Sequence, residues 1–186
     1  MSNKVRIFIL MLAISAIGWF GTQARADDST HIYVTWAGAE PDKGASAWFI
    51  KRYVDHDAVF RVVPQGSLVD AGTPFDVPQG RYRRVHNAST LETLLRDHPS
   101  QDLVVQRLGN LMHDIEINQW RPKVFAESQI LEARVKNIDE EIGQGGIPME
   151  CFIPFFDGVY QWLKSESGNQ DPLNTPEECA ATKHRH

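Results

Sequence analysis

The residues best placed for chemistry are His113 and Glu116. Three positions apart on a helix, an imidazole and a carboxylate share a face, and both can reach one metal ion or one substrate. Asp114 lies about 100° further round such a helix, which suits an N–H acceptor or a supporting position better than a direct ligand. A second candidate is His86, which ends the run Arg81-Tyr82-Arg83-Arg84-Val85-His86, the most basic stretch downstream of residue 26. If that run is a strand, alternation puts Arg84 and His86 on one face. A planar guanidinium fork and a titrating imidazole there can hold one oxyanion. The competing reading is an edge strand guarded by charge. Lys43 is the third candidate. It follows Asp42 and precedes the small run Gly44-Ala45-Ser46-Ala47, and a helix N-terminus flanked by small residues accepts an anion. Asp42 as the N-cap would take up those same donors. Two sets emerge: an oxyanion set of Lys43, Arg84 and His86, and a metal set of His86, His113, Asp114 and Glu116 for a divalent transition metal. Asp76, after Pro74-Phe75, is either a further ligand or a turn-capping residue, and the turn is the simpler account.

The elements that must carry these groups can be read from periodicity. His31 to Trp36 alternates around Ile32, Val34 and Trp36, as a strand does. A helix starts at Asp42, an N-cap acceptor for its own first free N–H groups, and runs to about Val54. Ala58 to Val63 reads as a second strand, stopped by Pro64-Gln65-Gly66. Short strands are expected near Phe75–Val77 and Tyr82–Val85. Ser89 with Glu92 three residues on is a capping box, so a short helix begins there and ends before His98-Pro99. Val104, Leu108, Leu111, Met112 and Ile115 define one face of a helix from about Ser100 to Ile117. Val124, Leu131, Val135, Ile138 and Ile142 define another. A last helix, Pro148 to Ser165, is apolar over most of its circumference and contains Pro154, a possible kink. Strands first and helices later predict an α+β fold, with a small mixed sheet from the N-terminal half packed against a C-terminal group of helices.

The 186 residues include 19 Lys and Arg against 24 Asp and Glu. Lys4 and Arg6 precede an apolar run from Ile7 to Gly21, and Ala24-Arg25-Ala26 has the form of a cleavage site. That is the plan of a secretory signal peptide over 1–26, the apolar run being shorter than the roughly 20 residues of a membrane span. The expected product occupies the periplasm or is secreted, with no stable membrane insertion after cleavage. It consists of one domain, 27–168, and a polar tail, 169–186. Losing Lys4, Arg6 and Arg25 leaves 16 basic residues against 24 acidic ones, a net charge of −8. Nucleic acid is therefore excluded as a partner, because its binding rests on phosphate neutralisation. Cys151 and Cys179 suit a disulfide in an oxidising compartment; a buried free Cys151 with a loose Cys179, or a redox pair, are the alternatives. No GxSxG, HExxH, P-loop or dinucleotide glycine fingerprint occurs, and CxxC is absent.

Four stretches of the chain, the first a strand–helix–strand run from Tyr33 to Phe60, resemble in order the domain of chromate-resistance proteins of the ChrB type. Tyr33-Val34-Thr35-Trp36-Ala37-Gly38 is similar to that family's WxTR-like strand. The segment PDKGASAWFIKRYVD, from Pro41 to Asp55, is similar to its VDRxAxAWLIRRFID-like helix, and Ala58-Val59-Phe60 to the strand after it. Gly72-Thr73-Pro74-Phe75-Asp76 resembles the PFD segment, Ser89-Thr90-Leu91-Glu92 the TFE helix start, and Leu111-Met112-His113-Asp114-Ile115-Glu116 the VHDID helix end. The likeness spans roughly 31–163. It departs at Lys43, where Arg is expected, at Gly38, which lacks a basic residue, and in a shortened loop around His86.

The resemblance implies a chromate-resistance protein, here in an exported form, whose partner is a small inorganic anion or a metal ion. The cytoplasmic members are chromate-responsive regulators, but their DNA binding does not carry over to so acidic a chain. Two other classes stand beside binding or sensing of an ion: a metal-dependent enzyme using the same His and Glu, and an interaction module with no bound ion.

Overall fold

The computed structural model describes residues 31–142, 148–165, 176 and 179. The expected signal peptide and nearly all of the polar tail lie outside them. Within the described residues there are a small sheet in the N-terminal half and five helices, most of them C-terminal to it, an α+β arrangement.

The strands are β1 (Ile32–Trp36), β2 (Val59–Val63) and β3 (Thr73–Pro74), in the order β2-β1-β3. Both pairings are parallel, with Val34 opposite Arg61 on one side and opposite Pro74 on the other. As the middle strand, β1 buries Tyr33, Val34 and Thr35 in succession rather than in alternation. A central parallel strand is covered on both faces, so the alternation expected of a half-exposed strand is absent. The expected strand at Tyr82–Val85 does not form. The segment makes two isolated bridges, Phe75 with Tyr82 and Val85 with Ala88.

Helix α1 (Pro41–Phe49) continues into a π-helical turn, Ile50–Val54. Its N-cap position is held by Glu40, without a side-chain cap, and Pro41 stands at the first helical position, which its fixed φ suits. Asp42 is therefore not the cap of its own helix. Its carboxylate accepts from the backbone N–H of Thr90 at 2.6 Å and of Leu91 at 3.0 Å, the first turn of α2 (Thr90–Asp97). The capping box on α2 is complete, with Ser89 Oγ accepting from Glu92 N–H and Glu92 accepting from Ser89 N–H. Between them, Asp42 and Ser89 satisfy three of the donors that a helix start leaves free.

Helix α3 (Leu103–Glu116) is capped by Asp102, which accepts from Val104 N–H at 2.8 Å. It buries Val105, Leu108, Leu111, Met112 and Ile115, so Val105 replaces the expected Val104. Helix α4 (Ala126–Ile142) buries Leu131, Val135 and Ile138, while Val124 precedes it and is exposed. Helix α5 (Met149–Lys164) runs through Pro154 and buries Phe152, Phe155, Phe156, Val159 and Trp162. It lies on α1, and Asp157 fastens the pair by accepting from Trp48 Nε1 at 2.8 Å and Arg52 Nε at 3.0 Å. Among the described residues no helix is long and apolar enough to cross a membrane.

Cys151, in the first turn of α5, is bonded to Cys179, with Cα atoms 4.9 Å apart and a separation of 28 positions in sequence. The bridge holds the buried Cys179 on the helical core. Closing a loop of this size stabilises the folded state by about 3 kcal/mol in the chain-entropy account. Cys179→Ser is expected to lose about that much, read as a lower urea midpoint; an unchanged midpoint would show that the bridge constrains nothing.

Candidate functional site

Three segments meet at the C-terminal end of β1: the loop and first turn of α1, the chain just past β3, and the end of α3. Each brings charge. After Trp36 the backbone turns at Gly38, whose φ of 137° a side chain would oppose. Gly38 C=O accepts from Lys43 Nζ at 3.2 Å. The ammonium also faces Glu40 Oε1 at 3.5 Å and Asp76 Oδ2 at 3.8 Å. The Lys43 side chain is only 2 % exposed. Almost no lysine is buried so completely unless it is paired.

Asp76 has a left-handed backbone, φ 52°, and is the one non-glycine residue of that kind among those described. Its N–H donates to Tyr82 C=O at 2.8 Å, and its carboxylate accepts from Thr90 Oγ1 at 2.6 Å. Backbone strain of this sort persists where the surroundings over-determine it, often at functional sites. The turn reading of Asp76 captures its backbone. Its side chain, however, points into the charged cluster.

Arg84 and Glu116 form a direct ion pair across 32 residues of sequence. The Glu116 side chain is 8 % exposed and that of Arg84 is 45 % exposed, so the pair runs from the interior to the surface. Glu40, Asp42, Asp76 and Glu116 thus supply four carboxylates around Lys43 and Arg84. Burial drives Asp42 well above the usual carboxylate range, the charges of Asp76 and Glu116 push it further, and the N–H groups of Leu91 and Thr90 oppose the rise. Burial lifts Asp76 to about 6, with Glu40 and Glu116 adding to it and Thr90 and Lys43 holding it down. Glu116 is raised by burial against the pull of Arg84. The excess of buried negative charge makes this a place that takes up protons or a cation.

The oxyanion set is divided by this geometry. Lys43 and Arg84 are each engaged by carboxylates, and His86 sits exposed in the tight turn between Val85 and Ala88. Without a strand at 82–85, alternation no longer places Arg84 and His86 on a common face.

The metal set is spread over α3 and its neighbours. His113 Nδ1 lies 3.0 Å from Glu92 Oε2, so the capping carboxylate of α2 also holds this imidazole. Asp114 turns to the other side, accepting from Val124 N–H at 2.9 Å, Phe125 N–H at 3.1 Å and Asn118 Nδ2 at 2.9 Å. Burial alone would raise it, but these donors bring it down to about 2. It orders the α3–α4 connection, an N–H acceptor as its angle on the helix suggested. His86, His113, Asp114 and Glu116 do not form a group of three ligand atoms within 4.8 Å of one another; among the described residues only His31, Asp55 and Asp57 do. His113 also lines a cavity of about 880 Å³, together with Ile117, Trp120, Arg121, Val124 and Phe125.

Sequence reasoning missed Glu40, Asp42 and Asp76 as members of one cluster. The signal available for Asp42 and Asp76 was their place in the segments PDK and PFD; Glu40 stands just before the first of these. The pieces that carry the family resemblance supply Asp42, Lys43, Asp76 and Glu116, and they converge here.

Residues 33–163 match the family described as ChrB, C-terminal domain. The match covers well over half of the sequence, and the chain belongs to this family. Membership associates it with chromate resistance and is compatible with an ion as partner. Comparison with curated proteins and with solved structures returned no match.

Proposed function

We propose that this protein serves chromate resistance by binding an ion at the cluster of Asp42, Lys43, Asp76, Arg84 and Glu116. The observation that carries the reading is the convergence of the family's own segments on buried carboxylates that outnumber their cationic partners. The charge balance favours a cation, taken up in exchange for the proton that the raised carboxyls hold. Glu116 with Asp76 would supply oxygen ligands, and Lys43 and Arg84 would turn aside as the ion entered. An oxyanion can enter only if Arg84 leaves Glu116. Protonation of Glu116 would allow that, which keeps chromate itself as the second reading.

Calorimetric titration separates the two. Purified protein is titrated with Zn²⁺ and, separately, with chromate, at pH 5 and at pH 7.5. Cation binding is expected at pH 7.5, weaker at pH 5 where Asp76 must first release its proton, and weakened at least about tenfold by Glu116→Gln or Asp76→Asn. Chromate binding that improves at pH 5 and in Glu116→Gln would install the oxyanion reading instead. Absence of heat with either ion would sink ion binding at this cluster and leave an interaction module.

We also propose that the protein is exported and cleaved after Ala26. The basic, apolar and small-residue order of 1–26 supports this, as does the Cys151–Cys179 bridge, since disulfides persist in oxidising compartments. The intact mass of protein recovered from the periplasm or medium should correspond to a chain starting at Asp27. A membrane-bound product of full length would show an anchor instead.

A further inference from the structure

At the opposite end of β1 a second group of ligand-bearing side chains comes together. His31 stands immediately before the strand, and Asp55 and Asp57 belong to the turn that leads into β2. His31 Nδ1 is 2.9 Å from both carboxylate oxygens of Asp55. One ligand atom from each of His31, Asp55 and Asp57 lies within 4.8 Å of the other two. The five steps from His31 to Trp36 put this group roughly 17 Å along the strand from the buried cluster, so the two are separate.

We propose that His31, Asp55 and Asp57 form a divalent transition-metal site. The backbone already sets the carboxylates. Asp55 N–H donates to Ile50 C=O at 2.8 Å, and Asp57 N–H donates to Asp55 Oδ1 at 3.0 Å. An imidazole nitrogen and a carboxylate oxygen 2.9 Å apart match two adjacent ligands of one ion, since bonds of about 2.1 Å at right angles subtend about 3.0 Å. Asp57 is exposed and can close the remaining distance by rotation. The ion replaces the proton that Nδ1 shares with Asp55, and it offsets the repulsion between two carboxylates that face one imidazole. One nitrogen and two oxygens suit Zn²⁺, Ni²⁺, Co²⁺ or Mn²⁺, with water completing the shell. Calcium, with its demand for six to eight oxygens, is poorly served. The bound ion would tie the start of β1 to the crossover that precedes β2, a clip between segments 24 residues apart.

The test uses protein in which His184 and His186 are replaced by Ala, so that the terminal histidines cannot contribute. Calorimetric and thermal-shift titrations with Zn²⁺ and Ni²⁺ are run at pH 7 on this protein and on His31→Ala, Asp57→Asn and Glu116→Gln made in it. His31 and Asp57 are exposed, so their replacement leaves the core intact, which far-ultraviolet circular dichroism checks. The expected result is metal-dependent stabilisation that His31→Ala and Asp57→Asn each weaken at least about tenfold. Glu116→Gln should leave this component unchanged, whatever becomes of binding at the buried cluster. Metal binding retained in both His31→Ala and Asp57→Asn, or no binding at millimolar metal, overturns the site.

Discussion

Lys43→Met is expected to destabilise the fold by about 3–5 kcal/mol at pH 8, the usual loss when one partner of a buried ion pair is removed. At pH 5 the loss should be much smaller. Methionine matches the stem of lysine in shape, so little packing is lost. What changes is the company of Asp76 and Glu40, which lose the ammonium facing them at 3.8 Å and 3.5 Å. Lys43 is one of the groups holding Asp76 down at about 6, so its removal raises Asp76 further. A carboxyl with a folded pKa above its unfolded value contributes stability that is fully present below the unfolded value. That contribution is lost as the pH rises through the folded value. For wild type the window runs from about 3.8 to about 6, with a slope of at most about 1.4 kcal/mol per pH unit for one proton. Removing Lys43 extends the window upward, so the variant suffers most where Asp76 must be ionised. Urea unfolding at pH 5 and pH 8 measures both values. Equal losses at the two would show that Lys43 acts through packing alone, and that the buried charges are not coupled.

The second large effect is expected at Gly44. A Cβ there would lie 2.3 Å from Phe152 Cδ1, 2.7 Å from Phe152 Cε1 and 2.7 Å from Phe156 Cε2. Helix propensity alone would favour Gly44→Ala by about 1 kcal/mol. Overlap with two rings that are themselves fully buried outweighs it, because a close-packed interior has nowhere to move them. The expected net loss is about 2 kcal/mol for Gly44→Ala and more than about 3 kcal/mol for Gly44→Val. Combining Gly44→Ala with Phe152→Leu should be less damaging than the sum of the single changes, since the smaller side chain relieves the contact and neighbours couple. Additive losses, or a stabilised Gly44→Ala, would mean that α1 and α5 do not approach as closely as the geometry requires. The small run 44–47 was open to reading as a cradle for an anion. Its role in the fold is to admit the phenylalanines of α5.

Much of the fold was legible because short-range physics decides it. Ser89 and Glu92 lie three residues apart, so their capping box depends on local geometry, and both bonds are present. Leu108, Leu111, Met112 and Ile115 follow the helical period and are buried. Tyr82–Val85 failed as a strand because period-2 alternation needs a partner edge. The chain past β3 offers Tyr82 only a single bridge, and Arg84 is drawn to Glu116 instead.

The candidate site divides along the same line. Residue types and their order were enough to mark the segments that matter. PDK, PFD and HDIE carry the resemblance, and Lys43, Arg84 and Glu116 could be named from residue type and spacing. Local pattern also marked a helix from Asp42 to about Val54, which the structure begins at Pro41, and left Cys151 and Cys179 available for a bridge. The partners, by contrast, follow from long-range packing. Asp42 resembles a cap for the helix it stands in, yet it serves a helix start 48 residues away. Glu116 and His113 look like a pair, yet one meets Arg84 and the other Glu92. The reason is that a side chain's reach along its own helix is set by a fixed period, whereas burial, and with it the strength and sign of every charge interaction in the cluster, exists only once distant segments pack together.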